Sequence, residues 1–213
     1  KESTMNYAEL APSKSPKEAI LESGARCFME RGFSATSIDD IAERIGATKG
    51  MVYHYFGSKA ELFFEIHQRG MDALFVVINP LLKQEMTAQE RFHQMCLAHV
   101  RTLIATQPFQ RTMSEGVQMH LHHLSNEAQR RQLRLLQVRR IEYEEVFLTV
   151  LSQGVEEGEL FSSNPKLAVK PILAGLNSII SWYQPRLDET DAEREKLVQT
   201  LVDTVLLGVM KAA

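Results

Sequence analysis

Thr48, Lys49, Gly50, Tyr53, His54 and Tyr55 lie within one short segment, KGMVYHYF and the threonine before it, and at helical spacing they share its outward face. A lysine and two tyrosine hydroxyls are good donors to phosphate oxygens, while threonine and histidine can meet base edges. Glycine at position 50 lets the backbone approach whatever is bound. This is an odd set for a purely solvated surface, and contact with a nucleic-acid duplex is favoured over the alternative, an exposed polar helix whose aromatic residues pack at its edge. Other constellations are weaker. His120, His122 and His123 stand in the run HLHH. On a helix only His120 and His123 share a side and no carboxylate sits among them, so surface, rim or interface histidines are favoured over a metal site. His67 and His99 are lone histidines on helical stretches. No HExxH, no phosphate-cradling glycine loop and no Ser-His-Asp order is found, which leaves enzyme activity, cofactor and metal without a candidate.

The elements that would position the segment are written in caps and breaks. Thr36 suits the N-cap of SIDDIAERI, with Asp39 at the third helical position. Gly46 ends that helix in a left-handed conformation. Thr48 caps the next, Gly57 stops it, and Ser58 with Glu61 opens the one after. Ile38, Ile41, Ala42 and Ile45 line one side of the first helix, and Met51, Val52 and Phe56 one side of the second. Two short helices that need a common core read as a helix-turn-helix, whose second helix enters a major groove N-terminal end first. Lys17 and Lys59, at neighbouring helix starts, are candidate phosphate donors.

Composition neither demands nor forbids this. The 213 residues carry 24 Lys and Arg against 27 Asp and Glu, a net charge of −3, with 44% hydrophobic residues and a mean hydropathy of −0.20. DNA affinity must then rest on a few placed donors and on avidity rather than on bulk charge. Two cysteines, Cys27 and Cys96, sit far apart in apolar helical contexts and read as buried free thiols of a reducing cytoplasm. No apolar run has transmembrane length and no signal peptide opens the sequence, so a cytoplasmic protein is expected.

Along the remaining chain, residues 1–15 read as a mobile arm, and Ser15 with Pro16 starts a helix that Gly32 and Phe33 end. Leu62 to Asn79 continues as one helix that must reach both halves, a natural lever. Further helices open at Thr87 with Glu90, at Phe109, at Ser125 or Asn126, at Asn164 and at Thr190 with Glu193, and Pro171 is expected to kink its helix or delay its regular start. The long helix ending near Glu157 has a basic front, Arg130, Arg131, Arg134, Arg139 and Arg140, followed by Glu142, Glu144 and Glu145. That pattern suits a solvated or interhelical ion-pair face, or alternatively a site for ligand phosphates. Phe92, Met95, Met113, Val117, Phe147, Trp182 and Tyr183 are candidates to line an apolar, adaptable effector cavity, the alternative being that each is simply core. The apolar band of the last helix is too wide for one partner. Ile172, Leu176, Ile179 and Tyr183 with Leu201, Val205 and Val209 are therefore expected to build a four-helix interface in a homodimer.

The stretch TSIDDIAERIGATKGMVYHYFGSKAEL, residues 36–62, resembles the DNA-binding signature of the TetR family of transcriptional regulators through Thr36, Ser37, Ile41, Ala42, Gly46, Thr48, Lys49, Gly50, Tyr53, Tyr55, Phe56, Lys59 and Leu62. The resemblance implies an all-α protein with an N-terminal three-helix helix-turn-helix DNA-binding domain over 16–62. A C-terminal helical domain over 63–213 would bind an effector and dimerise. It implies a bacterial repressor that grips a palindromic operator through Thr36, Ser37, Thr48, Lys49, Gly50, Tyr53, His54, Tyr55 and Lys59 and is released by a small molecule. Trp182, Tyr183, Pro185 and Arg186 resemble a W-Y-x-P element of members that answer acyl-CoA thioesters. An efflux regulator answering hydrophobic drugs, or a helical binding protein acting without DNA, are the alternatives.

Overall fold

The computed structural model describes residues 15–120 and 127–209, the side chains of 115–120 apart. Among the described residues all regular structure is helical. The helices are α1 (Pro16–Ala35), α2 (Ile38–Arg44), α3 (Lys49–Tyr55), α4 (Lys59–Ile78), α5 (Ala88–Ala105), α6 (Gln107–His120), α7 (Glu127–Glu156), α8 (Pro165–Asn177), the short α9 (Ile179–Trp182) and α10 (Asp191–Leu206). The expected arm, most of HLHH and the start of the long helix lie outside the described residues.

Side-chain caps set most helix starts. Ser15, Thr48, Asn164 and Thr190 each accept a backbone N–H of the first turn, and Thr87–Glu90 and Thr190–Glu193 form reciprocal capping boxes. The expected cap of α2 is off by one residue. Ser37 is the N-cap, accepting from the Asp40 N–H while Asp40 accepts from the Ser37 N–H. Thr36 is unavailable because its hydroxyl donates to the Cys27 and Gly32 carbonyls, satisfying acceptors near the end of α1. Ser58 caps α4 as expected, but Glu61 returns to the Gly57 N–H rather than to the cap residue. Pro171 sits inside α8 on its wetted side, where a missing backbone donor costs least, and the helix runs through it.

Two hydrophobic cores follow. The first joins α1, α2 and α3 with the start of α4: Ile20, Phe28, Ile41, Val52, Phe56, Leu62 and Ile66. Phe28, Phe33 and Phe63 form its aromatic corner, with centroids 5.1–5.9 Å apart. Gly32, at φ +75°, turns the chain so that Phe33 can enter it. The second core is built by α5, α7, α8 and α10 around Phe92, Met95, Leu103, Phe147, Leu176 and Val202, with the later turns of α4 contributing Met71, Leu74, Phe75 and Ile78. α4 therefore belongs to both cores, which separate between Ile66 and Met71, further along α4 than the boundary expected at 62/63.

α6 fastens the two halves. The Thr112 hydroxyl donates to the Ala25 carbonyl of α1, and Gln110 donates to the Gly70 carbonyl of α4. At Gly70 a Cβ would lie 2.3 Å from the Met113 sulfur, so the absence of a side chain there is what lets α4 and α6 close.

Candidate nucleic-acid interface

α3 buries one residue fully, Val52, and presents the opposite row to solvent. Thr48, Lys49, Gly50, Tyr53 and His54 are exposed, and Tyr53 retains 46% of its surface. Tyr55 is half-buried against the first core, its ring meeting the His54 ring edge-on at 5.0 Å. A Cβ at Gly50 would touch only the Thr48 hydroxyl, at 3.8 Å, so the fold itself does not require glycine there. Lys49 donates to Asp39 of α2 at 2.7 Å, and this hydrogen bond, ahead of the coulombic attraction, raises the lysine's pKa. Met51, expected in the core, is 36% exposed, because a seven-residue helix against a single core buries only a narrow stripe.

The head is held rigid by contacts that spacing did not reveal. Arg44 meets Glu30 through two nitrogens at 2.7 and 2.8 Å, Arg31 meets Asp40 at 2.9 Å, and the buried Ser23 hydroxyl donates to the Ile41 carbonyl. Two residues expected to face DNA are turned inward. Thr36 is 1% exposed. Lys59 spends its ammonium on the Phe33 and Thr36 carbonyls at 2.8 and 2.7 Å, above the Phe33 ring, and burial lowers its pKa. It ties α4 to the end of α1, with two of its three N–H donors engaged inside the molecule. Lys17 pairs with Glu65. Ser37 remains exposed, with its hydroxyl donating to Asp40.

In the larger half most of the expected cavity residues come together as packed core: Phe92, Met95, Phe147 and Tyr183 share the second core, with Met113 packed against it. Phe92, Met95 and Phe147 are wholly enclosed in the second core, Phe92 and Phe147 in edge contact at 6.0 Å. Met113 lies at the α4–α6 seam, Tyr183 is buried with its hydroxyl donating to Glu189, and Trp182 is exposed on the outside. The side chain of Val117 lies outside the described residues. Spacing showed that these positions were apolar but not that they filled the interior.

Two buried histidines are more informative. His99 joins the Tyr143 hydroxyl at 2.9 Å and Asn177 at 3.3 Å, and burial pushes its pKa down to about 4. His67, on α4 between the two cores, is fully enclosed, and among the described residues neither ring nitrogen has a partner at hydrogen-bonding geometry. Burial first, then Arg140, pushes its pKa down to about 4, while the nearby Met113 backbone opposes the shift without reaching good geometry.

The expected pairing residues also need correction. Ile172, Leu176, Ile179, Tyr183 and Val209 point into the molecule's own core, and only Leu201 and Val205 stay half-exposed. The face left open on these helices is Leu167, Pro171 and Ala174 of α8, Ser178 at the α8–α9 junction and Trp182 of α9, beside Thr200 and Thr204 of α10 and Leu207 just after it. The hydroxyls of Ser178, Thr200 and Thr204 are turned onto carbonyls of their own helices, leaving a surface of small and apolar groups.

A rigid trihelical head with an outward polar row, carried on a helical body, defines a DNA-binding regulator of the helix-turn-helix class. Residues 20–66 match the family "Bacterial regulatory proteins, tetR family" and residues 85–209 match "Tetracyclin repressor-like, C-terminal domain"; the chain belongs to the TetR family of transcriptional regulators. It is 27% identical over 178 residues to the HTH-type transcriptional repressor KstR2 of Mycobacterium tuberculosis, covering 78% of this chain and 80% of that one. The TetR-family regulator PfmR of Thermus thermophilus is 30% identical with a TM-score of 0.73, over 89% of this chain and 97% of that one. The M. tuberculosis KstR2 structure has a TM-score of 0.80 at 24% identity, over 94% and 98%. A structure of AibR, solved with isovaleryl coenzyme A and operator DNA, shares the fold at 23% identity and a TM-score of 0.72, over 90% and 98%.

Proposed function

We propose that a homodimer of this protein represses transcription in a bacterial cytoplasm by placing two copies of α3 in successive major grooves of a palindromic operator. The observation that carries the reading is the α3 row. Thr48, Lys49, Gly50, Tyr53 and His54 face solvent from a helix whose other side is locked by Val52 into a core braced by the Arg44–Glu30 pair. The N-terminal end of α3 meets base edges, Tyr53 and Lys49 reach phosphates, and Ser37 supports from α2. The dimer forms through the open face of α8, α9 and α10, which holds the two heads about one helical turn of DNA apart.

The effector is an acyl-CoA thioester. Support comes from the W-Y-x-P element at Trp182 to Pro185 and from the isovaleryl coenzyme A named with the AibR structure. The seam of α4, α6 and α7 is the point at which a ligand would act on the head. Among the described residues His67 has no partner at good hydrogen-bonding geometry there, Arg140 is close by, and α6 is hydrogen-bonded to both α1 and α4. A ligand that binds the seam only when α4 tilts would move the heads out of register with the operator.

The test is a gel shift on the gene's own upstream intergenic DNA. The parent should bind, Tyr53→Ala should not, and long-chain acyl-CoA should release the parent. Binding by Tyr53→Ala equal to the parent's would refute the role of α3. Release by cationic or aromatic drugs and not by thioesters would refute the effector.

A further inference from the structure

α7 has a second outward side that neither DNA contact nor the α8–α10 face uses. Leu135, Val138 and Ile141 are 53, 51 and 61% exposed, three large apolar side chains in a row on one helix face. Charged residues complete the face, and they are distributed about Val138 with a definite symmetry. Leu135 and Ile141 stand three residues to either side, Arg134 and Glu142 four, and Arg131 and Glu145 seven. All three spacings return to the same side of a helix. At each charged step the N-terminal member is basic and the C-terminal member acidic.

The flanks of this face are already engaged. Arg139 reaches Asp72 of α4 at 3.0 Å and lies over the Phe75 ring, while on the other side Glu144 meets Lys170 of α8 at 2.6 Å. Within the face, Glu142 takes one loose 3.6 Å contact from Arg139, and among the described residues Arg131, Arg134 and Glu145 have no ion-pair partner. One helix thus spends its lateral charges inside the molecule and leaves a symmetric set pointing away from it.

We propose that this face pairs with the same face of a second copy, the two α7 helices antiparallel about a two-fold axis at Val138. The antiparallel arrangement sets Val138 against its equivalent, Leu135 against Ile141, Arg134 against Glu142 and Arg131 against Glu145, every pair occurring twice. A parallel arrangement would set Arg against Arg and Glu against Glu, so the charge order selects the direction. A contact one helix wide is at the small end of specific interfaces, which makes it a weak association suited to molecules already concentrated, as when dimers sit side by side on one operator. It is independent of the α8–α10 dimer and of the reading of α3.

The experiment uses the full chain carrying Ala174→Arg, so that pairing through α8 does not mask the weaker contact. By sedimentation at hundreds of micromolar, this protein should self-associate. Arg134→Glu and Glu142→Arg should each weaken that association about tenfold or more, since each puts two like-charged pairs in contact. The double exchange R134E/E142R should return to within about threefold of the starting protein. Val138→Cys should form a chain-to-chain disulfide under mild oxidation well ahead of Gln137→Cys, Cys27 and Cys96 being buried. All the substituted side chains on α7 are exposed, so thermal melts should be unchanged. Failure of the double exchange to recover association, equal cross-linking at 137 and 138, or no association in the starting protein would each overturn the proposal.

Discussion

At the scale of single residues, two kinds of position make predictions with opposite signatures. Gly50 and Tyr53 lie on the solvent-facing row of α3 with open space around them, so Gly50→Ala and Tyr53→Ala should melt like the parent while, on the proposed reading, operator affinity falls about tenfold or more in fluorescence anisotropy. Unchanged affinity in both would remove α3 from the groove. His67 and His99 work through stability instead. Both are held near pKa 4 in the fold against about 6.5 when unfolded, so the unfolded chain binds more protons between those values. Their contribution is complete above about pH 6.5, declines as pH falls towards 4 and changes no further below, by roughly 2–4 kcal/mol for each imidazole. Thermal melts should therefore hold from about pH 7.5 to about 6.5 and fall from there to about pH 5. His67→Leu should flatten that slope and raise the melting temperature at pH 7, since it removes two buried nitrogens that have no partner among the described residues. An unaltered slope would mean that His67 is hydrated or paired in solution.

At the scale of elements, the closure of α4 on α6 depends on the missing side chain at Gly70. Gly70→Ala must push Met113 aside, with a cost of about 1–3 kcal/mol from overpacking, and should loosen the tie through Gln110. Chemical denaturation measures the loss, and a variant as stable as the parent would show that the seam has slack. This is also the scale at which the sequence was most and least readable. Helix starts and stops were legible because their determinants are local. Thr48, Ser58, Thr87, Asn164 and Thr190 announce themselves within a turn, whereas the Thr36–Ser37 choice failed, since Thr36 answers to carbonyls of α1 up to nine positions back, and the helix expected from Phe109 opens at Gln107. The outward row of α3 was legible for the same reason. Inward roles were not. Lys59 looks like any basic motif residue until folding brings the Phe33 and Thr36 carbonyls to it. Ile172, Leu176 and Phe92 carry no mark that distinguishes facing a partner, a ligand or their own core, because that depends on which neighbouring helix arrives.

At the scale of the whole molecule, the two halves are coupled through one shared helix and one brace, and the brace also reaches the open face, since Arg111 and Gln107 of α6 donate to the Ile180 and Tyr183 carbonyls. Ala174→Arg, in the middle of the open α8 surface, should turn the dimer into a monomer in sedimentation at low micromolar concentration, where the weaker α7 contact is not populated, while leaving the helical melt nearly intact. Operator binding should fall with it, because two linked heads gain from effective concentration and one does not. A dimer that survives the arginine would place the two-fold axis elsewhere.

The Lys49–Asp39 contact has a further consequence for how such a protein finds its target. On the proposed reading of α3, Lys49 must exchange the Asp39 carboxylate for a phosphate, and since one ionic partner replaces another, that step would release fewer counterions than a bare lysine would. Both side chains are more than half exposed, so the pair is weak and the exchange would cost little.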